Sequence, residues 1–179
     1  GGLRVRTTTT NLGSERCPYG HGAHPYLTLG TATIDRLFLT LPARTVLHSD
    51  QRGIPVDSKA VEGAGYDFRR SRRIGSTVLD HAFTDLQRDE NGIACVKLQD
   101  PDSGFQVLLW VDHSYPYLML FSGDPLPDVG RRSLAIEPMS CPPNAFRTGV
   151  SLIWLESGCS CTGTWGIATR TGQIDKLTL

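Results

Sequence analysis

Apolar and polar side chains alternate from the start of the chain. In Leu3-Arg4-Val5-Arg6-Thr7-Thr8-Thr9-Thr10 the residues Leu3, Val5, Thr7 and Thr9 share one side, and the β-branched content predicts a strand. Asn11-Leu12-Gly13-Ser14 reads as the turn after it. The pattern predicts a second strand over Tyr19–Leu29 and a third over Arg36–Leu47, with Leu37, Leu39 and Leu41 on one face and an interruption at Pro42. From Ser49 to Arg73 neither period persists, and Gly53, Pro55, Gly63 and Gly65 mark loop. Extended structure resumes over Val78–Leu86, and Arg88-Asp89-Glu90-Asn91-Gly92 carries a hairpin signal. Ile93–Leu98 and Phe105–Val111 read as antiparallel neighbours across Asp100–Gly104, with Phe105, Val107, Leu109 and Val111 inward. Tyr117–Phe121 is a short apolar run suited to a buried strand, and Leu134–Glu137 is another, cut off by Pro138. Val150, Leu152 and Trp154 alternate in the next, and Trp165–Thr169 ends the series. Many short strands between Gly, Pro and Asp turns, with almost no amphipathic helix, predict an all-β antiparallel sandwich. Such a sandwich offers a broad concave face suited to an extended or sugar-like ligand.

A chain of 179 residues is long enough for one well-buried core. Its 18 Lys plus Arg balance 18 Asp plus Glu, which gives no charge excess to attract nucleic acid or an anionic membrane. Charge does cluster locally, in Arg69-Arg70-Ser71-Arg72-Arg73 and at Arg131-Arg132; such runs mark either a solvated loop or phosphate contacts. No apolar run approaches the roughly 20 residues of a membrane span, and the first residues lack a basic segment followed by an apolar one. Five cysteines, Cys17, Cys95, Cys141, Cys159 and Cys161, form no disulfide framework and fit reduced thiols in a cytoplasmic protein. Cys159-Ser160-Cys161 lacks the spacing and the second pair of a zinc site, so no metal is expected.

Three stretches carry candidate chemistry. Gly20-His21-Gly22-Ala23-His24-Pro25-Tyr26-Leu27 sets a histidine before a proline, which biases His24 toward extended backbone, while the glycines permit a turn or a close approach. On composition alone, a histidine that only hydrogen-bonds in a crowded turn explains this stretch. Leu134-Ala135-Ile136-Glu137-Pro138-Met139-Ser140-Cys141-Pro142-Pro143-Asn144-Ala145-Phe146 ends an apolar strand on a carboxylate. An acid there is either paired, for example with Arg131, or placed to work, because burying it alone costs too much. Val78-Leu79-Asp80-His81-Ala82-Phe83 presents Asp80 at a strand edge, where it caps a turn or accepts from ligand hydroxyls.

Together, in this order, the three stretches resemble the motifs of the aldose 1-epimerase (galactose mutarotase) family. The resemblance implies a galactose mutarotase-like supersandwich and an isomerase that interconverts the α and β anomers of an aldohexose. It implies His24 as the acid that protonates the ring oxygen, Glu137 as the general base on the C1 hydroxyl and Asp80 as a contact to sugar hydroxyls. No cofactor and no metal are implied. The family's members are longer, and their N-terminal strands add an arginine and another histidine to the sugar site. On this resemblance residues 1–179 are one domain lacking N-terminal strands. Its expected partners are a small sugar and either a second copy of itself or the N-terminal half of the same enzyme, not nucleic acid or membrane.

Acid and base must each reach an oxygen on the same carbon at about 2.6–3.2 Å. His24 and Glu137 are therefore expected to face one cleft, separated by a pair of sugar atoms and two hydrogen bonds, with Asp80 on its wall. Two other readings stay open. A carbohydrate-binding protein without turnover would use His24, Asp80 and the aromatics Tyr26, Trp110 and Trp154, and a glycosidase would need paired carboxylates.

Overall fold

The computed structural model describes residues 2–171, which are almost all strand. In chain order the strands are β1 (Gly2–Thr10), β2 (Cys17–Tyr19), β3 (Tyr26–Leu27), β4 (Phe38–Thr40), β5 (Ala43–Ser49), β6 (Pro55–Ala60) and β7 (Arg72–Arg73). There follow β8 (Asp80–Leu86), β9 (Ala94–Gln99), β10 (Gln106–Val111), β11 (Tyr117–Phe121), β12 (Leu134–Met139), β13 (Ile153–Leu155) and β14 (Ser160–Arg170). A 3₁₀ turn at Ile34–Arg36 and one helical turn, α1 (Ala145–Thr148), complete the regular elements among the described residues. One six-stranded sheet runs β1-β14-β10-β9-β4-β7, a second runs β3-β12-β11-β8-β5-β6, and β13 pairs with β2 alone. All the strand pairs are antiparallel.

The alternating pattern becomes two faces. In the second sheet Leu134, Ile136, Leu118, Leu120 and Phe83 point inward, and they meet Val96, Leu98, Leu109, Val111 and Leu39 of the first sheet in one core. The all-β sandwich expected from the sequence is the fold observed, and the Ile93–Leu98 and Phe105–Val111 segments pair as expected, Val107 to Leu98 and Leu109 to Val96.

Several boundaries differ from the sequence reading. The expected strand over Arg36–Leu47 is two strands in different sheets, because at Pro42, which has no N–H to donate, the chain leaves β4 and enters β5. Likewise the Arg88–Gly92 turn joins β8 to β9, which lie in different sheets, so it is a corner and not a hairpin. Its local hydrogen bonds are present, Gly92 N to Asp89 O at 3.0 Å and Asp89 N to Ile93 O at 2.9 Å. Arg88 then fixes the corner by donating to the carbonyls of Gly92, Val111 and Tyr115. The stretch read as loop holds β6 and β7: β6 is an exposed edge strand with no buried face, and Asp57 and Lys59 give it the charged character of a protected edge.

β12 runs through Pro138 to Met139, past the stop expected at the proline. The carbonyl of Pro138 accepts from Ala23 N at 3.1 Å, so the proline keeps one hydrogen bond to the outermost segment of the sheet and forgoes only the one its missing N–H would donate.

The first sheet contains a tight approach. A Cβ on Gly166 in β14 would lie 2.4 Å from the Leu3 carbonyl oxygen and 2.6 Å from the Trp110 ring. Gly166→Ala is therefore expected to destabilise the protein by about 1–3 kcal/mol through overpacking, read as a lower urea midpoint at unchanged slope.

Candidate active site

The site is built on an antiparallel ladder that outlasts the named strands. Leu27 faces Leu134, Tyr26 faces Ala135 and Gly22 faces Met139 in a single register. Hydrogen bonds between them, Ile136 N to Pro25 O, Ala23 N to Pro138 O and Ser140 N to His21 O, keep that register continuous. His24 consequently stands directly opposite Glu137, where cross-strand side chains are within reach of each other. Their separation along the chain is closed by sheet pairing. Two glycines allow the approach: a Cβ on Gly22 would meet the Pro138 oxygen at 2.8 Å, and one on Gly20 the Cys141 sulfur at 2.7 Å.

His24 Nε2 lies 3.0 Å from Glu137 Oε1, with the imidazole half exposed and the carboxylate 13% exposed. The His24 ring stacks on Tyr26, centroids 4.8 Å apart and planes 28° apart. His24 and Glu137 line a cavity of about 450 Å³ whose other walls include Met139, Cys141, Asn144 and Phe146. The expectation that an atom pair separates acid from base is not met; direct opposition in the ladder puts the two side chains in contact with each other. Burial pushes the Glu137 carboxyl above the ordinary range, the His24 imidazole pulls it back, and the negative charge of Asp80 pushes it up again.

Asp80 opens β8, exposed, and pairs with Phe121, which in turn pairs with Ala135 and so with Tyr26. Paired residues project to the same side of a sheet, so Asp80 shares the outer face with Tyr26, and with Glu137 two residues further along β12. At the usual strand spacing it stands about 10 Å across the sheet from β12. It does not line the His24–Glu137 cavity, so the structure brings two of the three candidates into contact and sets the third across an open face.

Other candidates fall elsewhere. Arg131 pairs with Asp35 and Asp124, so it does not occupy Glu137. His81 alternates with Asp80 and packs with His48 and Tyr66, centroids 5.5 and 4.4 Å away. Trp110 lies on β10 beneath the Arg4 guanidinium, and Trp154 is covered by Arg16 at 4.7 Å; neither lines the cavity. Sequence reasoning passed over Met139, Cys141 and Phe146 as walls. The Pro142-Pro143 turn, which leads through Asn144 at a left-handed φ of 67° into α1, was the signal that the chain folds back over Glu137.

No group of three or more His, Cys, Asp or Glu suited to a metal exists among the described residues, and no helix there is long and apolar enough to cross a membrane. All five cysteines are free thiols.

Compared with known proteins, residues 1–167 match the family model described as aldose 1-epimerase. The chain belongs to the aldose 1-epimerase family. A curated relative, the uncharacterised protein YihR of Escherichia coli K12, is 35% identical over 157 residues, covering 88% of this chain and 48% of its own. Among solved structures, the GalM/aldose epimerase homologue of Caenorhabditis elegans superposes with a TM-score of 0.81 at 17% identity, over 96% of this chain and 57% of its own. A galactose mutarotase-like protein from Clostridium acetobutylicum does so with a TM-score of 0.80 at 18% identity, over 96% and 53%. At those identities the two structures establish the aldose 1-epimerase fold alone. The chain spans about half the length of the relatives it matches.

Proposed function

We propose that this protein is a mutarotase, interconverting the α and β anomers of an aldohexose by acid/base ring opening. The observation that carries the reading is the His24–Glu137 pair: an imidazole and a partly buried carboxylate 3.0 Å apart on an open sheet face, bordering a cavity beside an aromatic ring. Glu137 as carboxylate takes the proton of the C1 hydroxyl, and the His24 imidazolium gives one to the ring oxygen. The ring C1–O bond breaks, C1 becomes an aldehyde carbon, and rotation about C1–C2 presents its other face for reclosure with the two roles exchanged. Burial makes the carboxylate the more basic. The half-exposed His24 must swing away from Glu137 to admit the sugar, since each then reaches its own oxygen at about 2.6–3.2 Å. Asp80, across the face, accepts from hydroxyls remote from C1. A neutral sugar matches the balanced charge of the chain, and five free thiols support a reducing, cytoplasmic setting.

A second reading, a sugar-binding sandwich without turnover, is favoured by the closed pair itself, which holds acid and base on each other instead of open to substrate. Polarimetry on freshly dissolved α-glucose or α-galactose separates the two. Anomer exchange well above the solvent rate, proportional to protein concentration, is the expected result. Binding with exchange at the solvent rate would overturn the mutarotase reading.

A further inference from the structure

The arginine run that the sugar site leaves unused forms a groove of its own. Arg44, Arg69, Arg70 and Arg72 line a cavity of about 830 Å³ together with Gln87, Glu62 and Asp67. It lies at the far end of β8, where Ala43 pairs with Leu86: Gln87 follows Leu86 beyond the strand, and Arg44 stands one position back, between Ala43 and Thr45 of β5. At about 3.3 Å per residue, that end is about 20 Å from Asp80. The frame is firm, because Val61 and Phe68 are each 1% exposed and tie the loop down through Val61 N to Arg44 O at 2.9 Å and Leu41 N to Phe68 O at 2.8 Å.

The four guanidiniums are not equivalent. Arg69 is answered by Asp67 at 2.6 Å, and Glu62 stands 3.7 Å away. That hydrogen-bonded guanidinium holds the Asp67 carboxyl at about 2, so Asp67 stays ionised and committed. Arg44, Arg70 and Arg72 have no carboxylate partner among the described residues. Arg72 is nonetheless fixed: it donates to the Gly65 carbonyl at 2.5 Å, lies 4.1 Å over the Phe68 ring, and its buried Nε meets no acceptor. Gathering unanswered guanidiniums in one cavity of a chain with no net charge is unfavourable unless something anionic offsets it. Planar, always charged forks are also the side chains best matched to phosphate oxygens.

We propose that this groove is a second ligand site, for a small oxyanion of the phosphate class, either free or carried as a phosphate ester. Arg44 and Arg70 supply exposed cations at its rim, Arg72 a fixed one, and Gln87 a neutral donor. The site is independent of the sugar chemistry.

Titration of the isotope-labelled protein by amide NMR tests this, with inorganic pyrophosphate and phenyl phosphate as probes and sodium chloride at matched ionic strength as control. Saturable shifts are expected at residues 44, 69–72 and 87. Arg44→Ala and Arg70→Ala, both exposed and without a fold contact to lose, should each weaken binding about tenfold, whereas Arg6→Ala on β1 leaves it unchanged. Glu62→Gln should tighten it. Preference for phenyl phosphate identifies an ester and preference for pyrophosphate a free oxyanion. Shifts that do not saturate, that sodium chloride reproduces, or that Arg6→Ala diminishes as much as Arg70→Ala would overturn the proposal in favour of diffuse charge attraction.

Discussion

Glu137→Gln is expected to slow anomer exchange by about two to four orders of magnitude, the usual contribution of a general base, while leaving the thermal midpoint near that of the parent. The amide keeps the shape of the carboxylate and its place opposite His24, but it cannot take the C1 proton. Polarimetry gives the rate, and a variant that mutarotates at the parental rate would remove Glu137 from the chemistry. The pH profile supplies a second check. Only ionised Glu137 is a base, so activity falls as the pH drops through its pKa, which burial holds above the ordinary range. The negative charge of Asp80 raises that pKa further. Asp80→Asn should therefore move the acid limb to lower pH while raising KM through the lost hydroxyl contact. His24→Ala, which removes the charge that favours ionisation, should move it to higher pH. An Asp80→Asn variant with the limb unmoved would show that the two carboxylates do not share a face electrostatically.

The sandwich was legible because its inner faces are written in period two. Leu109 and Val111 of β10, and Leu118 and Leu120 of β11, alternate inward as the sequence pattern requires. Topology was less legible. Whether a turn closes a hairpin or rounds a corner depends on what accepts the next strand's hydrogen bonds, and the Arg88–Gly92 turn carries the same residues in either case. Strand β6 escaped notice because an edge strand exposed on both faces has no apolar period to read. The pairing of His24 with Glu137 is a long-range register, carried by backbone bonds from residue 21 to residue 27, and nothing local to either residue specifies it. Family resemblance singled out both residues as candidates; the ladder explains how they come to touch. It also explains the departure from the expected spacing, since directly opposed positions bring side chains together before any ligand arrives.

Arg131→Ala is expected to cost roughly 2–4 kcal/mol of stability, below the full range for breaking a buried ion pair because Asp35 is half exposed. The Arg131 side chain is 16% exposed and spans three segments. It reaches Asp35 in the 3₁₀ turn at 2.7 Å, Asp124 after β11 at 2.8 Å, and the carbonyls of Gly75 and Thr77 ahead of β8. Arg131→Lys keeps the charge but not the fork, and should recover only part of the loss. Urea unfolding measures both, and a loss under about 0.5 kcal/mol for the alanine variant would show the network to be idle. The pH dependence has a definite sign. Burial raises the Asp124 carboxyl, but hydrogen bonds from Ser122 and Arg131 outweigh it and leave the pKa depressed. A depressed carboxyl stabilises the fold above its unfolded pKa and loses that contribution as the pH falls through the folded value. The gap between parent and Arg131→Ala should therefore be full near neutrality and narrow below the ordinary carboxylate range. The same network reaches the site, because Ser122 also receives Leu79 N on its hydroxyl at 2.8 Å and donates its own N–H to the Leu79 carbonyl, fixing the chain one residue before Asp80. If Asp80 holds sugar hydroxyls, loosening that support should raise KM more than it lowers kcat, a split that loss of folded protein alone would not produce.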